Sequence, residues 1–570
     1  MAAGAAILAV IGVARWRHGA PATADGPHAG GDLVVSVRTE PRTYNRFASR
    51  DFVTDLVTLL TQAKLVRINR VTQEVEPWLA ERWTRSADGL QYTLSLRRNV
   101  VFSDGQPFTA ADVLFSFEAA YDTRNNSPLA DALEVGGRPL EVAAPDAHTV
   151  VVTFPSAFAP GVRILDNLPI LPRHVLQAAE QAGTFASAWG IGTTPADVVG
   201  LGPFVLSEYV RGQRLVFTRN PHYWRTDDRG TRLPYLDRVV LEVVPDQNAE
   251  VLRLEAGQID ATGDAVRPED YAPLNRAADA GRITLRDVGV ALNPDVMWFN
   301  LKPGAFAGDP RASWLQRDEL RQAISLAVDR QAYADTVFLG AGVPVFGPIT
   351  PANRKWFDPD LPRPGYDPAK ARTLLASIGL VDRNGDGLLE DPANEPARFT
   401  LVVYGGRTSL TRGAAVLRDD LARIGLGVDI VTLDQAAVIQ RILSGKYEAV
   451  AFNVQMTDTD PANNLDFFLS SGSAHLWNIG QAHPATDWER RIDELMAQQV
   501  AAGDAVERRR LFDEVQGILA EHQPALYFVA PRVYVATSRR VSHVEPAVTP
   551  PQILWAPDTI AVAGGSPPTH

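Results

Sequence analysis

The sequence predicts a mixed α/β fold, with α+β grammar in its first half and alternating strand and helix later. Three observations carry this. Residues 91–97 alternate apolar and polar, with Tyr92, Leu94 and Leu96 on one face, the period of a half-buried strand. Leu320, Ala323, Ile324, Ala327 and Val328 follow the spacing of one buried helix face. Between 399 and 454, apolar β-type runs alternate with helix-period segments, the pattern of an α/β lobe.

The elements follow in order. Leu33-Val34-Val35-Ser36-Val37 reads as the first strand. The turn Asp88-Gly89 precedes the strand at 91–97, and the loop 103–107 precedes a helix opened by Thr109-Ala110-Ala111-Asp112, a capping-box pattern with Asp in place of Glu. Val113, Leu114 and Phe117 form that helix's apolar side. A strand at 149–154 stops at Pro155. Segments 204–206 and 214–217 flank Arg211-Gly212 as a hairpin, and 239–244 is a buried-strand run. A helix over 248–256 stops at Gly257, and Val296 to Asn300 opens a further block. Asp367-Pro368 is an N-cap with Pro at the first helical position, and Gly379 closes that helix. Strands are expected at 399–404, 428–433 and 449–454, with helices at 410–424 and 436–443.

The chain has 570 residues, and at roughly 150 per domain this corresponds to about four domain-sized units. Hydrophobic residues at 45% and charged residues at 21% exclude disordered, collagenous and multi-pass membrane classes. A net charge of −12 with no long basic run argues against nucleic acid as a partner. Cysteine is absent, which removes disulfides, thiolate metal sites and a lipid-anchoring Cys. Residues 2–14 form an apolar run suited to a signal peptide, with Ala22-Thr23-Ala24 as a cleavage option. No Lys or Arg precedes the run, while Arg15 and Arg17 follow it. Export is therefore expected, with residues 1–31 as a signal peptide or an uncleaved N-terminal anchor and linker.

Catalytic fingerprints are missing: there is no phosphate-cradling G-x-x-x-x-G-K-[ST], no H-E-x-x-H and no G-x-S-x-G. Gly340-Ala341-Gly342 lacks the third glycine of a dinucleotide loop. His475 and His483 match no metal-clip spacing. Asp382, Asn384 and Asp386, with Gly385 and Gly387, match the first half of a calcium loop, but Ala393 stands where the bidentate Glu belongs. A tight Asx-Gly turn is the competing expectation there, and no cofactor is expected.

Six segments stand out in order: 77–83 (Pro-Trp-Leu-Ala-Glu-Arg-Trp), 102–113, Gly202-Pro203-Phe204, Asn220-Pro221-His222-Tyr223-Trp224, 321–330 and Tyr366-Asp367-Pro368 to Gly379. Together they resemble the extracytoplasmic solute-binding proteins of the dipeptide and oligopeptide type that serve ABC importers. The resemblance covers about residues 33–545. It implies a two-lobed, periplasmic-binding-protein-like hinge fold of the large peptide-binding type, in three domains. A discontinuous domain I would take 32–76, 196–296 and 530–563; an inserted domain II, 77–195; and domain III, the second lobe, 297–529. It further implies a monomeric, non-enzymatic receptor in the periplasm or otherwise outside the cytoplasm, whose partners are its solute and the permease subunits of an importer.

The same resemblance suggests where ligand would sit. Tyr44 and Asn45 follow the first strand, Trp298 and Asn300 stand at the entry to the second lobe, and Arg407 could fork onto a ligand carboxylate. The segment Asn453, Gln455, Met456, Thr457, Asp458 would run along the ligand, with Asp458 the candidate for an α-ammonium, and Trp477 lies downstream. Asp458 stands one residue closer to Asp460-Pro461 than in peptide binders, and at strand period that turns its side chain to the other face. A peptide is the expected ligand, with an oligosaccharide or other polar organic solute as the alternative. A hydrolase using Asp458 and Asp460 is the remote one.

Overall fold

The structure is a computed structural model that describes residues 29–563 except 454, 455 and 457. The expected export segment, apart from its last residues, therefore lies outside the described residues, as do Gln455 and Thr457.

Three sheets organise the chain. The largest runs in the order Phe204–Val210, Arg214–Arg219, Arg238–Val243, Asp32–Val37, Ala261–Thr262, Val529–Ser538, Ile283–Val290, with Gly342–Pro344 added alongside Val529–Ser538. Its centre is parallel: Val35 lies opposite Leu241 on one side and Ala261 on the other. The continuous apolar run at Leu33–Val37 fits a strand with neighbours on both edges, and Leu33, Val35 and Val37 are almost fully buried. The expected hairpin forms, with Gly212 taking the left-handed conformation at its turn (φ 70°).

A second, antiparallel sheet of four strands is inserted between Ala80 and Thr153, in the order Ala80–Arg85, Gln91–Leu96, Thr149–Thr153, Glu141–Asp146. Tyr92, Leu94 and Leu96 point into its core, as their alternation requires. The helix Ala110–Tyr121 covers it and starts on the expected box: the Thr109 N–H donates to Asp112 Oδ2 at 2.9 Å.

The third sheet has five strands, Gly427–Leu433, Arg398–Tyr404, Ala449–Asn453, Asp295–Phe299 and Ala525–Tyr527. The first three are mutually parallel, and helices Thr408–Ala422 and Gln435–Ser444 connect them. Asp295–Phe299 enters antiparallel to its neighbours. The helix Pro368–Ser377 is capped as its sequence demands, Asp367 accepting the Lys370 N–H at 2.9 Å. Helices Asp487–Ala501 and Ala505–His522 pack against this sheet. Their apolar stripes, including Ile492, Leu495 and Met496, are legible in sequence but belong to no segment singled out above.

The chain passes between the first and third sheets through residues 291–294 and at Phe528, and it also crosses on either side of Gly342–Pro344, which pairs with Val529–Ser538. The Ala291 N–H donates to Pro531 O at 2.8 Å there, so the two passages are bound side by side. No helix among the described residues is long and apolar enough to cross a membrane.

Gly202 shows how tightly the chain packs beside the largest sheet. A Cβ on it would lie 2.4 Å from the Thr61 carbonyl carbon and 2.5 Å from Leu60 O, at the end of helix Phe52–Thr61. Neither atom can move without distorting the helix, so Gly202→Ala is expected to destabilise by about 1–3 kcal/mol in urea denaturation.

Candidate functional site

In open α/β sheets, ligands bind beyond the carboxyl ends of parallel strands, where connections diverge to opposite faces. Two such edges lie among the described residues. Strands Asp32–Val37, Arg238–Val243 and Ala261–Thr262 end at one, where Arg38 reaches Glu250 at 3.3 Å and Asp264 at 3.4 Å. Strands Arg398–Tyr404, Gly427–Leu433 and Ala449–Asn453 end at the other, where Arg407 and Asn453 stand. Helix ends next to these edges meet across the gap: Arg412, in the second turn of Thr408–Ala422, pairs with Glu269 at the start of Pro268–Asp279, 2.8 Å apart. The crevice between the edges is the candidate site.

Arg407 is exposed and has no ion-pair partner among the described residues. It is also the N-cap of a 15-residue helix and supplies no side-chain cap. A cation at the positive end of a helix dipole is locally unfavourable, and the free N–H groups there attract an anion. Guanidinium and helix end together have the charge and donors that suit a carboxylate. Facing inward nearby, Asp295 is buried, accepts the Tyr333 hydroxyl at 3.2 Å and feels the Arg407 charge. Burial outweighs both and pushes its carboxyl up to about 6. No sequence pattern marks Asp295.

On the first edge, the Tyr44 hydroxyl is buried without a hydrogen-bond partner, its ring edge-on to Tyr209 at 6.1 Å. A polar solute could supply the missing partner. Asn45 needs none. Its amide donates to Phe185 O at 3.0 Å while its oxygen accepts the Phe47 N–H, which pins the loop.

Other expected contacts also turn inward. Trp298 is fully buried in a strand with neighbours on both sides. Asn300 donates to Gly445 O and Tyr447 O and accepts from the Lys302 N–H. Trp477 is 1% exposed, donates to Glu489 Oε1 at 3.3 Å and packs against His475 at 4.2 Å. Burial pushes Glu489 up, but hydrogen bonds from His475, Gln481 and Thr486 prevail and hold it at about 2. These three residues build the interior around the third sheet, where Asn300 and Trp477 spend their polar atoms on protein partners. Asn453 spans the passage to Asn293 O and Pro294 O at 3.4 and 3.3 Å, and Met456 joins an apolar wall with Val296, Phe467, Leu476 and Tyr527.

Asp458 departs most from expectation. Its carboxylate is taken by Arg163 of the inserted segment, with Nε to Oδ2 at 2.7 Å and Nη2 to Oδ1 at 2.6 Å, and by Asn463 at 2.6 Å. Burial pushes Asp458 up, yet the Arg163 charge and these bonds hold it below its usual range. Its anion is neutralised by the protein, so an α-ammonium has no claim on it. Asp460 is likewise engaged, bidentate with Arg508. Two carboxylates so neutralised do not form an acid–base pair.

The Asp382–Gly387 loop closes on itself: Asp382 accepts the Gly385 and Gly387 N–H groups, and Asp386 accepts the Leu388 N–H. Asn384 spends its side chain the same way, donating to Asp386 and accepting the Asp386 N–H. Carboxylate oxygens of Asp382, Asp386 and Glu390 lie within 4.8 Å of one another, and Glu390 stands outside the calcium-loop pattern.

The model for bacterial extracellular solute-binding proteins, family 5 (middle), matches residues 74–475. The chain belongs to that family. It is a solute-binding receptor associated with ABC transporters, of a family that acts outside the cytoplasm and is not enzymatic. A probable ABC transporter-binding protein of Deinococcus radiodurans is 26% identical over 539 residues, 88% of this receptor and 87% of the relative. The fold matches the oligopeptide-binding protein AppA of Bacillus subtilis in complex with a nonapeptide, at TM-score 0.69 and 23% identity, over 95% of this receptor and 100% of that chain. It also matches the periplasmic binding protein MelB of Agrobacterium fabrum in complex with stachyose, at TM-score 0.71 and 24% identity, over 94% and 85%.

Removing one partner of the Arg163–Asp458 pair strands a buried charge, so Asp458→Ala or Arg163→Met is expected to cost about 3 kcal/mol or more. The double variant should recover part of that, and a double-mutant cycle by urea denaturation measures the coupling. For Asp295, a folded pKa of about 6 lies above the ordinary value of 3.8 that the unfolded chain has. The folded state therefore binds the proton more tightly, and stability falls as pH rises from 3.8 to 6, by roughly 3 kcal/mol. Asp295→Asn escapes this loss, so its stability relative to wild type should grow over that window and stay level above it.

Proposed function

We propose that this receptor carries a short peptide to the permease subunits of an ABC importer by closing its two lobes over the crevice. The domain boundaries expected from sequence belong to this proposal, supported by the way the three sheets divide the chain, apart from Gly342–Pro344, which lies within the expected domain III and pairs with the largest sheet. Residues 291–294 and Phe528, two adjacent passages between the sheets, would be the hinge. Ligand contacts made on both edges at once favour the closed form, which is how binding becomes closure.

The observation that carries the reading is Arg407, an exposed guanidinium without an ion-pair partner among the described residues, at a helix N-terminus and beyond parallel strand ends. A peptide's terminal carboxylate matches it in charge and fork geometry. AppA, whose fold this receptor shares, was solved with a nonapeptide. The engagement of Asp458 by Arg163 favours a second reading, a polar solute with no ammonium, and MelB was solved with stachyose.

Native mass spectrometry of the purified receptor, followed by calorimetric titration of dipeptides to pentapeptides, tests the reading. Arg407→Ala is expected to weaken a free-carboxylate peptide by roughly tenfold, the worth of a charge-assisted hydrogen bond, and to leave its amidated form unchanged. If no peptide binds and an oligosaccharide does, the peptide reading falls.

A further inference from the structure

A second cavity, of about 260 Å³, lies beside the hinge rather than in the crevice. The first lobe supplies Arg70, Gln73 and the end of the edge strand Ile283–Val290 at Gly289; the second supplies Ala352 and Arg354. At roughly 30 Å³ per water, it holds about nine waters or one small organic molecule.

Its charge is one-sided. Arg70 and Arg354 both line it, and no carboxylate does. Neither arginine's side chain has an ion-pair or hydrogen-bond partner among the described residues. The contrast with the preceding strand is direct: Arg67, in Val66–Ile68, pairs with Glu76 at 2.8 Å, while Arg70, in the turn that follows, has no such neighbour. The carboxylates whose charge reaches Arg70 are already engaged, Asp166 with Lys64 and Asp55 with Arg46.

Gln73 adds an acceptor. It holds a left-handed backbone (φ 66°), uncommon for a residue other than glycine. Its Nε2 donates to Ala352 O at 2.8 Å across the lobe junction, which fixes the amide's orientation and leaves the buried Oε1 without a partner. Two unpaired guanidiniums and one unpaired acceptor describe a ligand carrying an anionic end and a hydrogen-bond donor.

We infer that this cavity is a second binding site, which takes a small hydroxycarboxylate, its carboxylate between Arg70 and Arg354 and its hydroxyl on Gln73 Oε1. Because the two arginines belong to different lobes, an occupant binds this arrangement of the lobes more tightly than one in which they are parted, and shifts the hinge towards it. That effect on the lobes rests on the hinge proposed above. Occupancy of the cavity does not, nor does it depend on whether the crevice holds a peptide.

The experiment is thermal denaturation of the full chain titrated with L-malate, succinate, inorganic phosphate or chloride at matched ionic strength. L-Malate is expected to raise Tm saturably and succinate to bind less tightly, since it cannot satisfy Gln73. Arg70→Gln should weaken L-malate by about tenfold or more, Arg70→Lys by less, and Arg407→Ala not at all. Arg354→Gln, at an exposed position, provides the same test should Arg70→Gln fail to fold. The inference is overturned if no probe gives a saturable shift, if phosphate binds and the carboxylates do not, if Arg407→Ala abolishes the effect, or if Arg354→Gln and any folded Arg70→Gln bind L-malate like wild type.

Discussion

The bidentate pair of Arg163 and Asp458 is the contact on which the arrangement of the three sheets depends. It joins the inserted segment to the chain beyond the third sheet. Around it, Arg163 also donates to Gln73 O and Thr459 Oγ1, while Asn353 donates to Thr459 O. Three separate stretches of chain thus meet at one guanidinium. The side chains of Arg163 and Asp458 are only 9% and 11% exposed. A pair so far from water adds little net stability over an apolar contact, but it is costly to break, so its main effect is to specify geometry.

That geometry sets what the crevice can do. With Asp458 neutralised, Arg407 is the exposed arginine at the third sheet's strand ends without an ion-pair partner among the described residues. The Arg412–Glu269 pair across the same gap is 37% exposed on each side and correspondingly weak.

Much of the fold was legible because its signals are local. Asp367-Pro368 with Gly379, Thr109 with Asp112, and the hairpin at Arg211-Gly212 each act within a few turns of chain, and each formed as expected. The candidate site was less legible. Asn300, Trp298 and Trp477 have residue types that suit a ligand, yet their side chains face the interior, and residue type does not state direction. Arg407 was visible as a loop arginine, but its lack of a partner is a property of the surroundings.

The sequence by itself determined the strand and helix succession, the caps, the absence of cysteine chemistry and, through ordered motifs, the family. Tertiary structure decided which charges remain free. Arg163 and Asp458 are 295 positions apart, and no periodicity links residues at that distance. Ion pairing depends on separations of a few ångströms, which only the folded chain sets, so which guanidiniums lack an ion-pair partner among the described residues is settled by packing.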